Sequence, residues 1–432
     1  MITLNPARRG YQLLLLVAAA TSASYGRTLL SPLQETLRTG LALTDNEISI
    51  IQGPALALPM VVLSLPLGLI IDHWSRRQLL LILALGVLAG SIATGFATTF
   101  PALLVARSLV GFCAFAVNPT VLSMLADLYP PTLRGRTGMT IAFGQLGGMA
   151  VAFALGGVAA GYSDQHGFSV RQSFIWLSIP PLCVLATLFA TEEPPHTRSD
   201  PTGSTLSGSL AQLWHYRASI TPLLVGIVAA EVALGALLVW TAPSFSRSLS
   251  LKPESVGILM ASVLVVSGTI GPLAGGTLAD RCHRTGGPRR TAATLAALAF
   301  ISIPAALFPV LETTPLAVVV LVTYVTVASS ICVMGAALFT VVVPPDLRGL
   351  CLALLSGTCV LFGNGVAPVA VSLLSPALGG GPSIARALAI VCLATALVGT
   401  FMFSIAARYF RSVSKDIDRQ TAPSINSTAT RG

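Results

Sequence analysis

Three charged residues lie inside long apolar segments, where an ionised side chain needs a physical reason. Arg27, Arg107 and Glu231 are each flanked by mostly apolar residues. A charge at the centre of a membrane helix costs roughly 2.5–3.5 kcal/mol on insertion scales. Guanidinium groups suit carboxylates and phosphates, and a carboxyl group in a dry environment favours its neutral form. The chemistry open to these residues is therefore anion binding and proton transfer within an apolar layer.

If the three segments are helices, their spacing brings Arg27 and Arg107 to comparable depths and Glu231 close to the middle of the layer. Arg27 lies roughly 24 Å along its helix, Arg107 roughly 9 Å from the end of its own, and Glu231 roughly 16 Å along, near the midplane of a ~30 Å layer. We predict that Arg27 and Arg107 bind an anionic group and that Glu231 carries a coupling proton. Two alternatives stay open: backbone carbonyls and polar neighbours hold each arginine, or Glu231 is a structural counter-ion to them.

The composition indicates that the apolar layer is a membrane. Of the 432 residues, 54% are hydrophobic and only 9% are charged, where a soluble domain carries roughly a quarter of charged residues. We therefore predict an all-α membrane protein with twelve transmembrane spans. The predicted spans 1 to 6 are 11–33, 48–71, 78–97, 101–125, 137–161 and 173–190, and spans 7 to 12 are 220–241, 255–278, 291–310, 315–343, 350–374 and 385–407.

An internal repeat divides these spans into two pseudo-symmetric halves of six. Pro130-Pro-Thr-Leu-Arg-Gly135 recurs as Pro344-Pro-Asp-Leu-Arg-Gly349, and Gly68-Leu-Ile-Ile-Asp72 recurs as Gly276-Thr-Leu-Ala-Asp280. Two motifs that repeat in order at nearly one offset indicate two copies of one unit. We predict an N-terminal half at 1–190, a linker rich in Pro, Ser, Thr and Gly at 191–218, a C-terminal half at 219–408 and a tail at 409–432.

The distribution of basic residues predicts the orientation of the chain. Eighteen of the 25 Lys and Arg residues fall on the side of the N-terminus, five fall on the other side and two fall inside spans. Lys and Arg are concentrated in cytoplasmic loops. Both termini and the linker are therefore predicted to be cytoplasmic, in the inner (plasma) membrane of a bacterium.

The loop after span 2 carries a family resemblance. Gly68 and Asp72, followed by Arg76 and Arg77, resemble the signature of the major facilitator superfamily, with Gly276–Arg281 as the matching half-signature. Arg107-Ser-Leu-Val-Gly111 is similar to that family's Arg-plus-Gly motif. The resemblance implies a twelve-helix transporter that works by alternating access. A narrower likeness, to spinster-type lipid transporters and their bacterial relatives, rests on Tyr25-Gly-Arg27 and Leu43-Thr-Asp-Asn-Glu47.

The same resemblance implies a gate at the cytoplasmic ends of the spans. Asp72 would bridge to the start of span 11 and to nearby arginines, which would stabilise the outward-facing state. The other residues predicted to take part in gating are Arg76, Arg77, Asp127 and Arg134 in the first half and Asp280, Arg281 and Arg348 in the second. The alternative is that these are solvated loop charges that serve topology only.

Uncharged residues complete the predicted site. Asn118-Pro119 on span 4, and Asn364 with Pro368 on span 11, predict polar, broken backbone that lines the cavity. We therefore add Asn118 and Asn364 to the substrate-binding residues. Small residues allow close approach of membrane helices, and this role is predicted for Gly363 and Gly365 on span 11 and for Gly144, Gly147, Gly148, Gly156 and Gly157 on span 5.

Several functions are disfavoured by what the sequence lacks. No cysteine pair has zinc-ligand spacing, no Gly-rich phosphate loop with Lys occurs, and no catalytic grouping is visible. We expect no metal, no cofactor, no nucleic-acid partner and no enzymatic activity, and we expect a monomer in the lipid bilayer. The predicted function is proton-coupled transport of a small anionic or amphipathic molecule. The alternatives are a multidrug or metabolite exporter, a lysolipid or sphingolipid-like carrier and, more distantly, a non-transporting sensor.

Overall fold

The computed structural model describes residues 6–166, 169–193, 212–344, 347–379 and 383–421. Helices joined by short turns make up these residues, and no strand occurs among them. Most of the predicted linker, at 194–211, and the end of the predicted tail, at 422–432, lie outside the described residues. The prediction of an all-α protein is confirmed.

The twelve predicted spans correspond to helices, some of them in two or three pieces. Spans 1 to 6 are Pro6–Thr28 with Leu30–Gly40, Asp45–Gln52 with Pro54–His73, Arg76–Phe96, Phe100–Leu128, Pro131–His166, and Val170–Leu177 with Ile179–Leu188. Span 7 is Arg217–Ser248, spans 8 and 9 together are Pro253–Ala305, span 10 is Thr314–Val342, span 11 is Arg348–Cys359, Val360–Val366 and Ala367–Ala377, and span 12 is Ile384–Thr421.

Ten of the described helical segments are long and apolar enough to cross a membrane. One of them holds spans 8 and 9, because the helix Pro253–Ala305 turns at Gly287, whose φ of 60° is not helical. Span 6 is not among the ten because it is broken at Ser178 into two short helices. With these two features included, the described residues contain twelve crossings, as predicted.

Local sequence signals set several of the helix ends. Thr44 accepts a hydrogen bond from the Glu47 amide at 3.2 Å, and the Glu47 carboxylate accepts one from the Thr44 amide at 2.9 Å. This reciprocal capping box satisfies two amides that the first turn of a helix leaves unpaired. It begins span 2 directly before the apolar run.

The bundle has two ends that differ in charge. The basic end carries Arg76, Arg136, Arg284 and Arg348, which lie in helices close to the turns that connect the spans. The opposite end, which we call the Arg247 end, carries the turn after span 1 and the end of span 7. The two halves pack against each other mainly through spans 5 and 8 and through spans 2 and 11.

The buried apolar side chains form three cores. The largest core lies toward the Arg247 end and includes residues of both halves, such as Tyr25, Phe153, Trp240 and Phe308. The other two cores lie toward the basic end, and each belongs to one half alone. Apolar burial therefore joins the halves at one end of the bundle and leaves them separate at the other.

Glycines mark the same difference. A Cβ atom at Gly157 on span 5 would lie 2.7 Å from Gly257 Cα on span 8, and one at Gly53 on span 2 would lie 2.6 Å from Gly365 O on span 11. These contacts join the two halves through backbone atoms. Toward the basic end, a Cβ atom would meet nothing within 4 Å at Gly138, Gly276, Gly349 and Gly357.

The glycines of span 5 have two different roles. Gly144, Gly148 and Gly156 face span 1, where a Cβ atom would run into Val17, Thr21 and Pro32, and Gly157 faces span 8. The prediction of close helix approach is therefore confirmed for these four. It is wrong for Gly147, where a Cβ atom would meet nothing within 4 Å, because this glycine points away from the packed face.

Candidate functional site

A central cavity lies between the halves and contains three of the residues predicted from the sequence. Arg27 of span 1, Glu231 of span 7 and Asn364 of span 11 line this cavity of about 250 Å³, and Ser329 of span 10 adds a hydroxyl group. The rest of its wall is largely apolar: Leu146, Met149, Leu234, Leu237, Leu238, Leu264 and Val325. The cavity thus combines one cation, one acid and one amide with a largely apolar wall.

Arg27 is the cation that the cavity presents. Its side chain is half-buried, and its guanidinium carbon lies 4.8 Å from the centroid of the Phe115 ring on span 4. A cation over an aromatic face is stabilised by the ring quadrupole without consuming a hydrogen-bond donor. Arg27 also interacts electrostatically with Glu231 across the cavity. Its donors therefore stay available to a ligand.

Arg107 has a different environment from Arg27. It is fully buried and does not line the central cavity. Its guanidinium donates to the carbonyl oxygens of Gly26 at 3.3 Å and of Arg27 at 2.6 Å. This matches the alternative in which backbone carbonyls hold the arginine. Arg107 thus ties span 4 to the stretch of span 1 that carries Arg27.

Glu231 faces the cavity from the other half. The Cys332 thiol of span 10 lies within reach to donate a hydrogen bond to its carboxylate. Behind it, a Cβ atom at Gly363 would lie 3.0 Å from the Glu231 carbonyl oxygen. The glycine therefore allows span 11 to pack directly against span 7 at the level of the acid. The sequence contained no signal for Cys332, because a cysteine in an apolar span is usually a packing residue.

The backbone of span 11 changes where Asn364 lies. Residues Val360–Val366 form a π-helix between two α-helical segments. Single π-helical turns inside α-helices occur frequently at functional sites. The prediction of irregular backbone is therefore confirmed at Asn364, whereas Pro368 lies in the first turn of the α-helix that follows. The same prediction is wrong for Asn118-Pro119, because span 4 continues as a helix through Pro119.

Asn118 contacts a neighbouring span and is not among the residues that line the central cavity. Its Oδ1 atom accepts a hydrogen bond from Gln145 Nε2 of span 5 at 2.9 Å. Both side chains are partly buried within the first half. This contact joins spans 4 and 5, and it leaves the role of Asn118 in substrate binding a prediction.

An ion-pair network at the Arg247 end joins the two halves, and the sequence analysis missed it. Arg247 of span 7 donates to Asp45 at 2.9 and 2.8 Å and to Glu35 at 3.2 and 2.8 Å. Arg38 donates to the other oxygen of Glu35 at 3.0 and 2.6 Å. We call these four residues the Arg247 latch. Two arginines and two acids make it electrically neutral, and Arg247 is its member from the second half.

A polar strip leads from the central cavity toward this latch. Ser31 donates to Gln52 Oε1 at 3.0 Å, and the Gln52 amide donates to Gln34 Oε1. All three side chains are buried. Ser31, Gln34 and Glu35 then line an outer chamber of about 290 Å³, whose far wall comes from spans 7 and 8. Spacings of three and four residues place Arg27, Ser31, Gln34 and Arg38 on one face of span 1.

Three of the predicted gating residues, Arg76, Arg77 and Asp127, are held within the first half. Arg76 at the start of span 3 forms an ion pair with Asp127 at the end of span 4, and both side chains are largely buried. Glu193 accepts hydrogen bonds from the backbone amides of Arg76 at 2.9 Å and Arg77 at 2.8 Å. This carboxylate caps the first turn of span 3, where anions are favoured. The side chains of Asp72 and Arg134 lie outside what the structure describes.

The predicted gating residues of the second half have a different environment. Asp280, Arg281 and Arg348 are exposed at the basic end. The contacts between the halves given above lie toward the Arg247 end and the centre of the bundle. A gate at the basic end that involves these residues therefore remains a prediction about another conformation.

Comparison with known proteins identifies the family. The family model described as Major Facilitator Superfamily matches residues 16–368 of this chain. That range covers most of the described spans. The chain belongs to the major facilitator superfamily, and it is a multi-pass membrane transporter.

Individual relatives are more distant. A triacylglyceride transporter of Mycolicibacterium hassiacum is 29% identical over 212 residues, which are 44% of this chain and 37% of the relative. The matched part of this chain therefore spans well under half of that relative's length.

Two solved structures share the fold. A bacterial homolog to the human lysosomal transporter Spinster, solved in an inward-facing and unoccupied conformation, superimposes with a TM-score of 0.76 at 20% identity and covers 96% of this chain and 98% of its own. A D-xylose–proton symporter gives a TM-score of 0.68 at 18% identity and covers 90% of this chain and 96% of its own. Both likenesses concern the fold.

Proposed function

We propose that this chain is a proton-coupled secondary transporter that moves a small amphipathic organic anion by alternating access. The observation that supports the proposal is that Arg27, Glu231 and Asn364 line one cavity between the halves. A cation with available donors suits a carboxylate, sulfonate or phosphate group. The leucine-rich wall suits an apolar body. Such a cargo has one charged end and one apolar end.

The charges of the cavity suggest how the proton is coupled. With Glu231 ionised, it neutralises Arg27, and an added anion would leave a net negative charge in a poorly hydrated site. With Glu231 protonated, the cavity holds one positive charge, which a monoanion neutralises. Proton and anion therefore favour each other's binding, and this is the sign of a symporter. Arg107 is not part of the cavity wall, and two of its nitrogens donate to backbone carbonyls of span 1. Its charge is the same whether Glu231 is ionised or protonated, so it does not change the sign of the coupling.

The basic end is the cytoplasmic end in this proposal, because Lys and Arg are concentrated in cytoplasmic loops. Both termini are then cytoplasmic, and the membrane is the inner (plasma) membrane of a bacterium. The conformation is inward-facing, since the halves are joined at the Arg247 end and have separate cores at the basic end. Opening the Arg247 latch and closing the basic end would produce the outward-facing state.

The cargo class can be tested with three ligands that share one apolar body. Octanoate, octanol and octylammonium are added to the purified full-length protein at pH 6, and the melting temperature is recorded. A ligand that binds the native state raises the melting temperature. We expect octanoate to do so, and we expect Arg27→Gln to abolish the effect. Arg171→Gln is the matched control, since Arg171 is exposed and packs over Phe96 away from the cavity.

The coupling is tested by repeating the octanoate titration between pH 6 and pH 8, a range in which the octanoate carboxyl itself stays ionised. Wild-type affinity should fall as the pH rises, because deprotonation of Glu231 neutralises Arg27, and Glu231→Gln should bind with an affinity independent of pH. Stabilisation by octylammonium and not by octanoate would contradict the anion proposal. Unchanged pH dependence in Glu231→Gln would assign the proton to another group.

A further inference from the structure

The turn between spans 8 and 9 carries a dense group of positive charges. Within Asp280–Arg290 the sequence has four arginines, Arg281, Arg284, Arg289 and Arg290, together with His283 and a single acid. We call this segment the span 8–9 hairpin. Its arginines exceed its acids by three at neutral pH. It lies at the basic end of the bundle, where the spans leave the membrane.

The backbone folds these charges into a compact group. Gly287 has a φ of 60°, which reverses the chain between the two spans. A Cβ atom at Gly286 would lie 2.8 Å from Arg290 Cβ and 2.9 Å from its Cδ, so the Arg290 side chain folds back over the turn. Arg284 from the incoming helix and Arg290 from the outgoing helix therefore flank one tight turn. Like charges held this close repel each other.

No acidic side chain in the described part of the chain offsets this repulsion by ion pairing. All four arginines are exposed, and none of them belongs to an ion pair among the described residues. Arg284 donates to the backbone carbonyl of Asp280 at 3.3 Å. The corresponding loop of the first half differs, because Arg76 pairs with Asp127 and Arg77 donates to the Phe189 carbonyl at 2.7 Å.

A cavity of about 370 Å³ lies beside the hairpin. Asp280, His283, Arg284 and Thr291 line one side of it, and Ala337, Leu338 and Val341 of span 10 line the other. Val341 is 45% exposed, so the apolar side of the cavity is open at the surface of the bundle. A polar rim above an apolar floor fits a molecule with a charged head and a hydrocarbon chain.

We propose that the span 8–9 hairpin binds the phosphate headgroup of an anionic glycerophospholipid, with the start of an acyl chain along span 10. The membrane leaflet at the basic end supplies this partner. Guanidinium groups form paired hydrogen bonds with phosphate oxygens, and basic clusters beside membrane helices attract anionic lipids. The proposal concerns a surface away from the central cavity, so it does not depend on the identity of the cargo.

The net charge of the headgroup determines which phospholipids bind to the span 8–9 hairpin. Phosphatidylglycerol carries one negative charge, whereas phosphatidylcholine is neutral overall, so only the former relieves the repulsion among the arginines. The apolar floor distinguishes the lipid from a free phosphate ester. Glycerol 3-phosphate has the phosphate group but no acyl chain, and we expect it to bind much more weakly than the lipid.

The test measures lipid binding to the purified full-length protein in detergent by native mass spectrometry. Phosphatidylglycerol and phosphatidylcholine of the same chain length are titrated against wild type, Arg284→Gln/Arg290→Gln and Arg408→Gln/Arg411→Gln. The last pair removes the same charge from exposed positions at the same end of the bundle. About 1 kcal/mol per basic residue near a membrane surface corresponds to about fivefold in affinity, hence about 25-fold for two.

We expect wild type to prefer phosphatidylglycerol, the hairpin variant to lose that preference and the Arg408/Arg411 control to keep it. Equal losses in both variants, or no loss in the hairpin variant, would overturn the proposal. Binding of glycerol 3-phosphate as tight as that of the lipid would overturn the assignment to a lipid. A melting temperature equal to wild type in phosphatidylcholine would establish that the hairpin variant is folded.

Discussion

At the Arg247 end, apolar side chains of both halves form one core and Arg247 pairs with two acids across the boundary, whereas at the basic end each half has a core of its own. The closed end also brings backbone atoms of the two halves together at glycines. The ion pairs of Arg247 and the close backbone contacts at glycines therefore add to apolar burial in holding the halves together at this end. The equilibrium between conformations should therefore respond most to changes at the closed end.

The largest effect is expected from filling the glycine contact between spans 5 and 8. In Gly157→Leu the new side chain meets backbone atoms of Gly257 and Pro253, which cannot move aside without separating the halves. We expect the closed state to lose about 3 kcal/mol, on the order of 100-fold in population. Distances between spin labels at Thr39 and Ser248, both exposed, should lengthen. Gly147→Leu is the control on the same span, and a similar change there would show that the contact at Gly157 is not responsible.

A smaller shift is expected from opening the Arg247 latch. Arg247→Gln leaves Glu35 and Asp45 facing each other with Arg38 as their only partner in the latch. Charge-assisted hydrogen bonds are worth about 1.5–3 kcal/mol each when partly buried, and water entering the opened latch offsets part of this loss. We expect about a tenfold shift toward the open outer end, measured with the same labels.

Arg38→Gln is the matched control for the latch, because Arg38 lies in the same half as both acids. It should shift the distances far less than Arg247→Gln. Arg247→Lys should restore only part of the wild-type distribution, since an ammonium group cannot engage two carboxylates with a planar fork. Equal shifts in Arg38→Gln and Arg247→Gln would mean that the latch does not act between the halves.

At the basic end, we expect a mutation to lower the stability of the protein without changing the distance between the two halves. Asp127→Asn removes the partner of Arg76, a largely buried cation within the first half. Leaving one member of a buried pair unmatched is destabilising, by about 3 kcal/mol. We expect a melting temperature several degrees lower, with unchanged distances between labels at Leu133 and Leu352. Shifted distances would instead support a gate at this end in which Asp127 participates.

The smallest effect is expected from one hydrogen bond between the halves. Ser372 of span 11 donates to Ser49 of span 2 at 2.8 Å, and both side chains are buried. Ser372→Ala should weaken the closed state by about 1 kcal/mol, roughly fivefold in population. Ser262→Ala is the control, because that hydroxyl bonds only to the Ile258 carbonyl of its own helix. If Ser372→Ala left the label distances unchanged, the closed state would be stabilised by the apolar core and the Arg247 latch without this hydrogen bond.

Much of the fold could be predicted from the sequence because its signals are local. Long apolar segments and two repeated loop motifs indicated twelve spans in two halves, and the structure agrees. The irregular backbone at Asn364 also had a local signal, since Pro368 follows the asparagine by about one helical turn. The same reasoning failed at Pro119, because span 4 continues as a helix through this proline.

The sequence by itself determined which charges lie within the membrane and at what depth, because the rise per residue of a helix is constant. It did not determine which way each charge points, because that depends on how each helix rotates against its neighbours. Arg27 and Arg107 have similar depths, yet one faces the cavity and the other binds the carbonyls of span 1. Only the tertiary structure brought Arg247 to Glu35 and Asp45, residues about 200 positions apart along the chain. Pairing over such a separation follows from the packing of whole helices, and no spacing in the sequence encodes it.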